Sequence, residues 1–343
     1  MRELKIGPLD AGQRLDKYLL RYFKEADKGF LYRMLRKKNI TLNNAKASGS
    51  ERLSEGDVVS VFFSEETFAK MQGAEDDRLP VELPVGLPSS PLAIIHETPH
   101  ILIVNKPAGL LTQKAAAGDD SLTDRIAAYV KAQAGPGSIG FTPAAANRLD
   151  RNTSGLVLAG KTLPGQQLLS FLLRQRLTEK YYFCLVKGRM TAPLDSLLYW
   201  KKEEEENLAH ISSQPAEGAS PIRLKAWPLA HLQEGADLLK VQLISGKSHQ
   251  IRAQLAWLGH PILGDSKYGD RSYTRRLSEA LSITLRLQLL HSHQLIFPPY
   301  QREEGLSEMA CRLWEELAGQ SFTAPLPPYF HKVLTALGGS YGE

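Results

Sequence analysis

Hydrophobic and polar positions follow two different periods in the first 63 residues of the chain. Apolar residues recur at helical spacing at the start of a helix over 14–20 and again over a second, basic helix at 30–38. Positions 40–43 alternate instead, as a short strand does, and positions 53–61 predict a turn followed by a second strand. The pattern therefore predicts a small unit that contains two helices and two strands.

A change of composition predicts a domain boundary after this unit. Residues 64–91 combine a polar, acidic stretch with four prolines, which is typical of a linker. We therefore expect an N-terminal domain at 1–63, a linker at 64–91 and a larger domain at 92–335.

The larger domain alternates short strands with helices, which predicts a mixed architecture. The acidic run at 201–207 predicts a solvated loop. The predicted strands cover 101–104, 155–159, 181–186 and 239–243, and the predicted helices cover 122–134 and 164–176.

Charge adds to this picture because the basic excess lies in one place. The 343 residues are 43% hydrophobic and 23% charged, as in ordinary globular proteins. Residues 1–63 carry 13 Lys and Arg against 8 Asp and Glu, whereas the remainder carries 29 of each. A basic module joined to a neutral body predicts binding of an anionic partner, for which nucleic acid is the usual choice.

The sequence disfavours membrane, secreted and metal-stabilised classes. No segment approaches the roughly 18 consecutive apolar residues of a membrane span, and the first ten residues lack the apolar core of a signal peptide. Cys184 and Cys311 lack the paired spacing of a zinc site or a disulfide framework. We therefore expect a cytoplasmic protein.

A glycine pattern at residues 135–140, GPGSIG, matches the letters of a dinucleotide-binding loop. The segment follows a helical pattern instead of a strand and contains a proline, so it does not fit the strand, turn and helix that such a loop requires. A loop that ends a helix is the favoured interpretation, and a nicotinamide oxidoreductase stays a distant alternative.

The segment NRLDRNTSGLVLAGK, residues 147–161, places a carboxylate before a run of strand formers. Asp150 lies between two arginines, so it should stay ionised, and the Thr-Ser-Gly after it can form a turn. Taken alone, an aspartate in a loop more often caps a turn or pairs with a neighbouring arginine. A reactive carboxylate is the alternative.

Two further segments carry candidate chemistry. In SGKSHQIRAQLAW, Arg252 lies beside the apolar stripe of a predicted helix, and a cation at the rim of a core requires an anion. Taken alone, Arg252 would be a structural ion-pair partner and His249 a polar contact at the start of the helix. Lys106 in VNKPAG would be a solvated lysine in a turn.

The order of RLDKYL, YRMLRKKNITLNN and LSEGDVVSV resembles the S-four (alpha-L) RNA-binding domain. In that family the basic helix and the turn after it contact the RNA backbone. The resemblance therefore implies RNA contacts by Arg33, Arg36, Lys37 and Lys38.

Behind that domain, HETPHILIVNKPAGLLTQ, NRLDRNTSGLVLAGKT and SGKSHQIRAQLAWLGHPILGDSKYG closely resemble the RluA-type family of pseudouridine synthases, most of all those that act on large-subunit ribosomal RNA. The resemblance implies an α+β fold. A mixed, mainly antiparallel central sheet flanked by helices and loops would form the catalytic domain, and a small alpha-L RNA-binding domain would precede it.

The same resemblance implies roles for individual residues. Asp150 would be the catalytic aspartate, Arg252 its ionic partner, and Tyr182 in EKYYFCLVKG the active-site tyrosine. Arg148 would contact RNA beside a flipped nucleotide, and Lys106 and His249 would add RNA contacts. The partner would be RNA, the enzyme a monomer, and no metal or other cofactor is expected because the isomerisation involves no net redox change.

The chain departs from the family pattern at three places. Asn147 replaces the usual His before Arg-Leu-Asp, Gly246 to His249 read Gly-Lys-Ser-His, and Ala253 and Gln254 follow Ile-Arg. These departures favour the alternative of a non-catalytic RNA-binding protein on the same scaffold. The joint presence of Asp150, Tyr182 and Arg252 favours the enzyme.

Overall fold

The computed structural model describes residues 1–72, 91–116, 118–134, 141–203 and 208–341. The helices are α1 (Leu15–Tyr22), α2 (Lys28–Arg36), α3 (Glu65–Gln72), α4 (Leu122–Ala134), α5 (Leu163–Arg174), α6 (Gln250–Trp257), α7 (Arg271–Leu281), α8 (Glu308–Leu317) and α9 (Pro328–Ala336). None of the helices in these ranges combines the length and apolar composition that a membrane crossing requires.

The strands form two sheets, one in each of two units. They are β1 (Arg2–Lys5), β2 (Ile40–Leu42), β3 (Ala45–Lys46), β4 (Val58–Val61), β5 (Ile94–Glu97), β6 (Ile101–Lys106), β7 (Ala144–Ala145), β8 (Ser154–Gly160), β9 (Glu179–Lys187), β10 (Leu194–Glu203), β11 (Leu208–Ser212), β12 (Ser220–His231), β13 (Ala236–Leu243), β14 (Leu290–Ile296) and β15 (Ser321–Thr323).

The N-terminal unit packs two amphipathic helices on a small antiparallel sheet with the strand order β1-β4-β2-β3. Leu15 and Leu19 of α1 are buried one helical turn apart, and Leu31 and Leu35 of α2 repeat that spacing. The side chain of Asp27 caps α2 by accepting a 2.7 Å hydrogen bond from the amide of Phe30. The predicted helices and strands of this unit are confirmed.

The N-terminal unit extends past residue 64, where the predicted linker 64–91 begins. Helix α3 occupies the first part of that segment, and Phe68 packs into the N-terminal hydrophobic core. Burial of the aromatic side chain of Phe68 in this core is more favourable in free energy than its exposure in a solvated linker. Residues 73–90, with most of the predicted linker, lie outside the described residues, and so does the glycine pattern at 135–140.

The larger unit is built on one wide, mixed sheet. Its strands run in the order β11-β10-β12-β13-β9-β14-β8-β6-β5, while β15 pairs with β14 and β7 pairs with β8. Neighbouring strands are antiparallel except β14 and β8, which pair in parallel through two positions. The predicted mixed, mainly antiparallel sheet is confirmed.

The loop predicted for 201–207 is wrong at its start, because Lys201–Glu203 pair with β11. Residues 204–207 lie outside the described residues.

Both faces of the sheet centre are covered. Leu102 and Val104 of β6 point into a core that includes residues of α4 and α6, whereas Ile101 and Ile103 point into a core with α5 and α8. Because successive side chains of a strand face opposite sides, a strand that is covered on both sides is apolar throughout. Helices α7 and α9 cover the same sheet over β9 and β13.

The junction of β8 with β14 depends on Gly155. This residue has a φ of +109°, and a β-carbon built on it would lie 2.2 Å from the carbonyl oxygen of Ser292. The pairing of Ser292 with Gly155 is one of the two parallel positions that join the two strands. Only a residue without a side chain permits this close approach.

We expect Gly155→Ala to lower the free energy of unfolding by about 3 to 5 kcal/mol, because the two backbones must separate or the added methyl group must overlap Ser292. Urea unfolding monitored by circular dichroism measures this change.

Gly7→Ala is the matched control, because a β-carbon there meets no atom within 4 Å and the backbone is outside the left-handed region. It should change the free energy of unfolding by less than about 1 kcal/mol. Equal stability of the two variants would contradict this account of the junction.

Candidate functional site

A cleft of about 880 Å³ opens on the larger unit at the end of the loop that joins β7 to β8. Among the described residues, its walls carry eight lysines and arginines but a single carboxylate, Asp150. The cations are Lys114, Arg148, Arg151, Arg176, Lys180, Lys247, Arg252 and Lys267. A concave wall with this excess of positive charge attracts an anionic ligand.

The loop that carries Asp150 is anchored on both sides of that residue. The hydroxyl of Thr112 donates to the carbonyl oxygen of Leu149 at 2.8 Å and accepts from its amide at 3.1 Å. The amide of Thr153 donates to the carbonyl oxygen of Asp150 at 3.0 Å, and Gln288 donates to the Thr153 hydroxyl at 2.5 Å. The carboxylate therefore lies on a fixed turn, with 26% of its side chain exposed.

Lys106 is fully buried and contacts the backbone of the same turn. Its side chain is 0% exposed, and its ammonium donates to the carbonyl oxygens of Pro107, Leu110 and Arg151 at 2.8 to 3.1 Å. Burial lowers the pKa of Lys106 to about 7, while the charge of Asp150 acts to raise it. This placement argues against the predicted RNA contact, because the ammonium is occupied by backbone carbonyls.

Arg252 of α6 joins two carboxylates through one guanidinium group. Its Nη1 donates to Oδ2 of Asp150 at 2.7 Å, and its Nε and Nη2 donate to the two carboxylate oxygens of Asp265 at 2.7 and 2.8 Å. The fork geometry of arginine suits this two-point contact with Asp265 and leaves Nη1 for the cleft. The expected ionic partner of Asp150 therefore lies within hydrogen-bond distance of it.

Asp265 has no role in the sequence prediction. Its side chain is 0% exposed, and burial acts to raise the pKa of this carboxyl, but hydrogen bonds from Arg252 and from the amides of Lys267 and Tyr268 hold its pKa below the usual value. A buried carboxylate requires this compensation. The available signal was the turn GDSKYG, which places an aspartate between two glycines.

His249 lies on the wall beside the carboxylate. Its Nε2 is 4.0 Å from Oδ2 of Asp150, and its Nδ1 is 3.0 Å from the hydroxyl of Tyr268. Burial lowers the pKa of His249, the charge of Asp150 opposes that shift, and the charge of Arg252 adds to it. The residue has a left-handed φ of +56° directly before α6, and its side chain makes no capping hydrogen bond to that helix.

Tyr182 of β9 supplies an aromatic wall to the cleft. It is 5% exposed and packs in the hydrophobic core below Asp150 and Arg252. Burial raises the pKa of Tyr182 to about 12. The phenol therefore stays protonated near neutral pH and can donate a hydrogen bond but cannot accept a proton readily.

The remaining predicted RNA contacts fall in two places. Arg148 is exposed and lines the cleft. Four exposed basic residues of the N-terminal unit lie on α2 and directly after it and are not among the residues that line the cleft: Arg33, Arg36, Lys37 and Lys38.

Asn147, which stands where a histidine was expected, lines the cleft. Its side-chain oxygen accepts a 2.7 Å hydrogen bond from the amide of Leu158.

A metal site is not evident in the described ranges, where no group of three or more His, Cys, Asp or Glu side chains converges.

The larger unit matches a family model described as RNA pseudouridylate synthase over residues 100–257. Two solved structures share the fold: human RNA pseudouridylate synthase domain containing 4 has a TM-score of 0.56 and 20% identity, and covers 72% of this chain and 93% of its own. Human RNA pseudouridylate synthase domain containing 1 has a TM-score of 0.50 and 20% identity, and the match covers 74% of this chain and 98% of the human chain.

Curated relatives extend the similarity over both units. A protein of Mycoplasma pneumoniae that is named an uncharacterized RNA pseudouridine synthase homolog is 28% identical over 94% of each chain. The protein named ribosomal large subunit pseudouridine synthase C in Pasteurella multocida is 27% identical over 98% of this chain and 94% of the relative. The protein of the same name in Escherichia coli is 28% identical over 84% of this chain and 86% of the relative. Residues 100–257, which include most of the residues that line the cleft, are therefore similar to the RNA pseudouridylate synthase family.

Proposed function

We propose that this chain isomerises uridines of large-subunit ribosomal RNA to pseudouridine, with Asp150 as the catalytic carboxylate. The observation that carries this proposal is the geometry of Asp150, which is the single carboxylate of a cationic cleft and is held by Arg252 at 2.7 Å. Relatives named for the large ribosomal subunit support the choice of RNA.

The reaction sets the demands on the site. The bond between N1 of the base and C1′ of the ribose breaks, C5 of the base bonds to C1′, and the hydrogen of C5 leaves while N1 gains one. A carboxylate can attack the sugar or the base, or it can remove a proton from the sugar. Each route uses the carboxylate form of Asp150, whose Oδ2 accepts a 2.7 Å hydrogen bond from Arg252.

The uridine must leave its stack to reach this carboxylate. Extruding a base from folded RNA costs a few kcal/mol, which contacts in the pocket offset. We propose that Tyr182 packs against the extruded base and that its protonated hydroxyl donates to it. Arg148, exposed at the same cleft, would contact the RNA beside the vacated position.

The N-terminal unit extends the RNA surface in this proposal. Arg33, Arg36, Lys37 and Lys38 form an exposed basic cluster at the end of α2, and none of them makes an ion pair with a described residue. Exposed lysines and arginines of this kind bind phosphate groups without reading sequence. The cluster would therefore supply affinity, while the cleft supplies chemistry.

The chemistry needs no electron transfer, so we propose that it proceeds without a cofactor. We also propose that the enzyme acts as a monomer. Ribosomal RNA as the substrate implies a cytoplasmic enzyme.

Asp150→Asn should abolish pseudouridine formation and leave RNA affinity within about twofold, because the amide keeps the shape but lacks the nucleophilic and basic carboxylate. Single-turnover assays on ribosomal RNA with chemical mapping of pseudouridine, together with equilibrium binding, separate the two effects.

Asp195→Asn is the control, since Asp195 is an exposed partner of Arg223 outside the cleft. It should retain full activity. Isomerisation by Asp150→Asn would remove Asp150 from the chemistry, and loss of RNA binding by that variant would assign it a structural role.

Arg252→Met should lower the free energy of unfolding by about 3 to 5 kcal/mol, because it leaves the carboxylate of Asp265 buried without its partner. Arg252→Lys keeps a positive charge but cannot contact Asp265 and Asp150 with three donors in one plane. We expect the lysine variant to fold and to lose at least about 100-fold in the single-turnover rate.

Urea unfolding and single-turnover rates of both variants test this expectation. A stable methionine variant with wild-type activity would show that the bridge between the two carboxylates serves neither fold nor chemistry.

Neutralising the basic cluster of the N-terminal unit should weaken RNA binding and reduce its salt dependence. With four charges removed, the slope of log affinity against log salt should fall by up to about 3 for single-stranded contacts. The variant changes Arg33, Arg36, Lys37 and Lys38 to Gln, and binding is measured by titration at several salt concentrations.

A control variant removes four exposed charges elsewhere on the larger unit: Arg275, Arg276, Arg312 and Lys332, each changed to Gln. Its salt slope should stay close to that of the wild type. Equal slopes for the two variants would show that the N-terminal cluster makes no specific contribution to RNA binding.

A further inference from the structure

Lys180 is a nearly buried lysine that faces the cleft without a partner. Its side chain is 9% exposed and lines the cleft, and its ammonium would lie 3.8 Å from a β-carbon built on Gly246, in the loop before α6. Within the described residues, no carboxylate and no hydrogen-bond acceptor contacts this ammonium.

The other buried lysines of the described residues are satisfied. Lys106 donates to three carbonyl oxygens, and Lys161 pairs with Glu97 at 2.5 Å and contacts Gln133. The side chain of Lys180 is 9% exposed, so its ammonium is partly desolvated without such partners, which is unfavourable. Lys180 therefore lacks the structural compensation that the chain provides at its other buried lysines.

A second cation stands beside Lys180 on the same wall. Arg176 lines the cleft, is exposed, and lies in the turn between α5 and β9 with a left-handed φ of +58°. Burial lowers the pKa of Lys180, and the charge of Arg176 lowers it further. The two charges repel each other in the empty cleft, and an anion between them would remove that repulsion.

The position of this pair relative to the candidate catalytic residues follows from the strand. Lys180 and Tyr182 are two residues apart on β9, so their side chains face the same side of the sheet at a separation of roughly 7 Å along the strand. The ammonium thus lies beside the aromatic wall that the extruded base is proposed to contact. A bound RNA strand carries a phosphate on each side of that base.

We propose that Lys180 and Arg176 form a subsite that binds the backbone phosphate of a nucleotide flanking the target uridine. The inference rests on the proposed function, since it takes RNA as the ligand of the cleft. The ammonium of Lys180 contacts one phosphate oxygen, and the guanidinium of the exposed Arg176 contacts the same phosphate from the solvent side.

Lys180→Met keeps the apolar stem of the side chain and removes the charge. We expect the RNA concentration for half-maximal single-turnover rate to rise about 10- to 100-fold, with the maximal rate within about twofold of the wild type. Lys332→Met removes one exposed charge of α9 and is the matched control, with no change expected in either quantity.

Synthetic stem-loops identify the phosphate. Each stem-loop contains the target uridine and one neutral methylphosphonate in place of one backbone phosphate. One position next to the uridine should weaken binding to the wild-type enzyme about 10-fold or more and should leave binding to Lys180→Met unchanged. The exposed Arg176→Gln provides the same comparison should Lys180→Met unfold in thermal melts.

Three results would overturn the subsite: behaviour of Lys180→Met equal to that of Lys332→Met, a loss of maximal rate at unchanged RNA affinity, or equal sensitivity of both enzymes to every methylphosphonate. The third readout is an equilibrium binding measurement. It remains decisive even for a wild-type enzyme that forms no pseudouridine, in which case the proposed function fails separately.

Discussion

One guanidinium group couples the fold to the candidate chemistry. Arg252 contacts Asp265, which is fully buried and so requires a cation, and the same side chain reaches Asp150 in the cleft. The planar fork fixes the direction in which the remaining nitrogen points. The geometry of the Asp150 carboxylate is thereby set by an ion pair that the core needs in any case.

The cleft places many like charges together, and this arrangement has a cost when no ligand is bound. Eight cations surround a single carboxylate on its walls. Their mutual repulsion is relieved when a polyanion enters, so ligand binding and stability are linked. The turn that carries Asp150 tolerates this field because Thr112, Thr153 and Lys106 hold its backbone.

Local sequence patterns predicted the helices and strands well, but they could not predict contacts between segments that are distant in the sequence. The helix at 122–134 and the core of β8 follow from periodicity, and the family resemblance identified Asp150 and Arg252, which are 102 residues apart. Periodicity cannot show that Lys106 is surrounded by carbonyl oxygens from two separate segments. It also cannot show that Asp265 is buried, because an aspartate between turn residues is usually solvated.

The parallel pairing of β8 with β14 bears on how the enzyme forms during synthesis. The turn after Asp150 is completed by Gln288 and His291, whose contacts with Thr153 and Ser154 span 135 and 137 residues of chain. Contacts of such long range form late, after local helices and hairpins. A nascent chain still attached to the ribosome lacks β14 until almost the whole polypeptide has emerged, so the turn that carries Asp150 is incomplete until then.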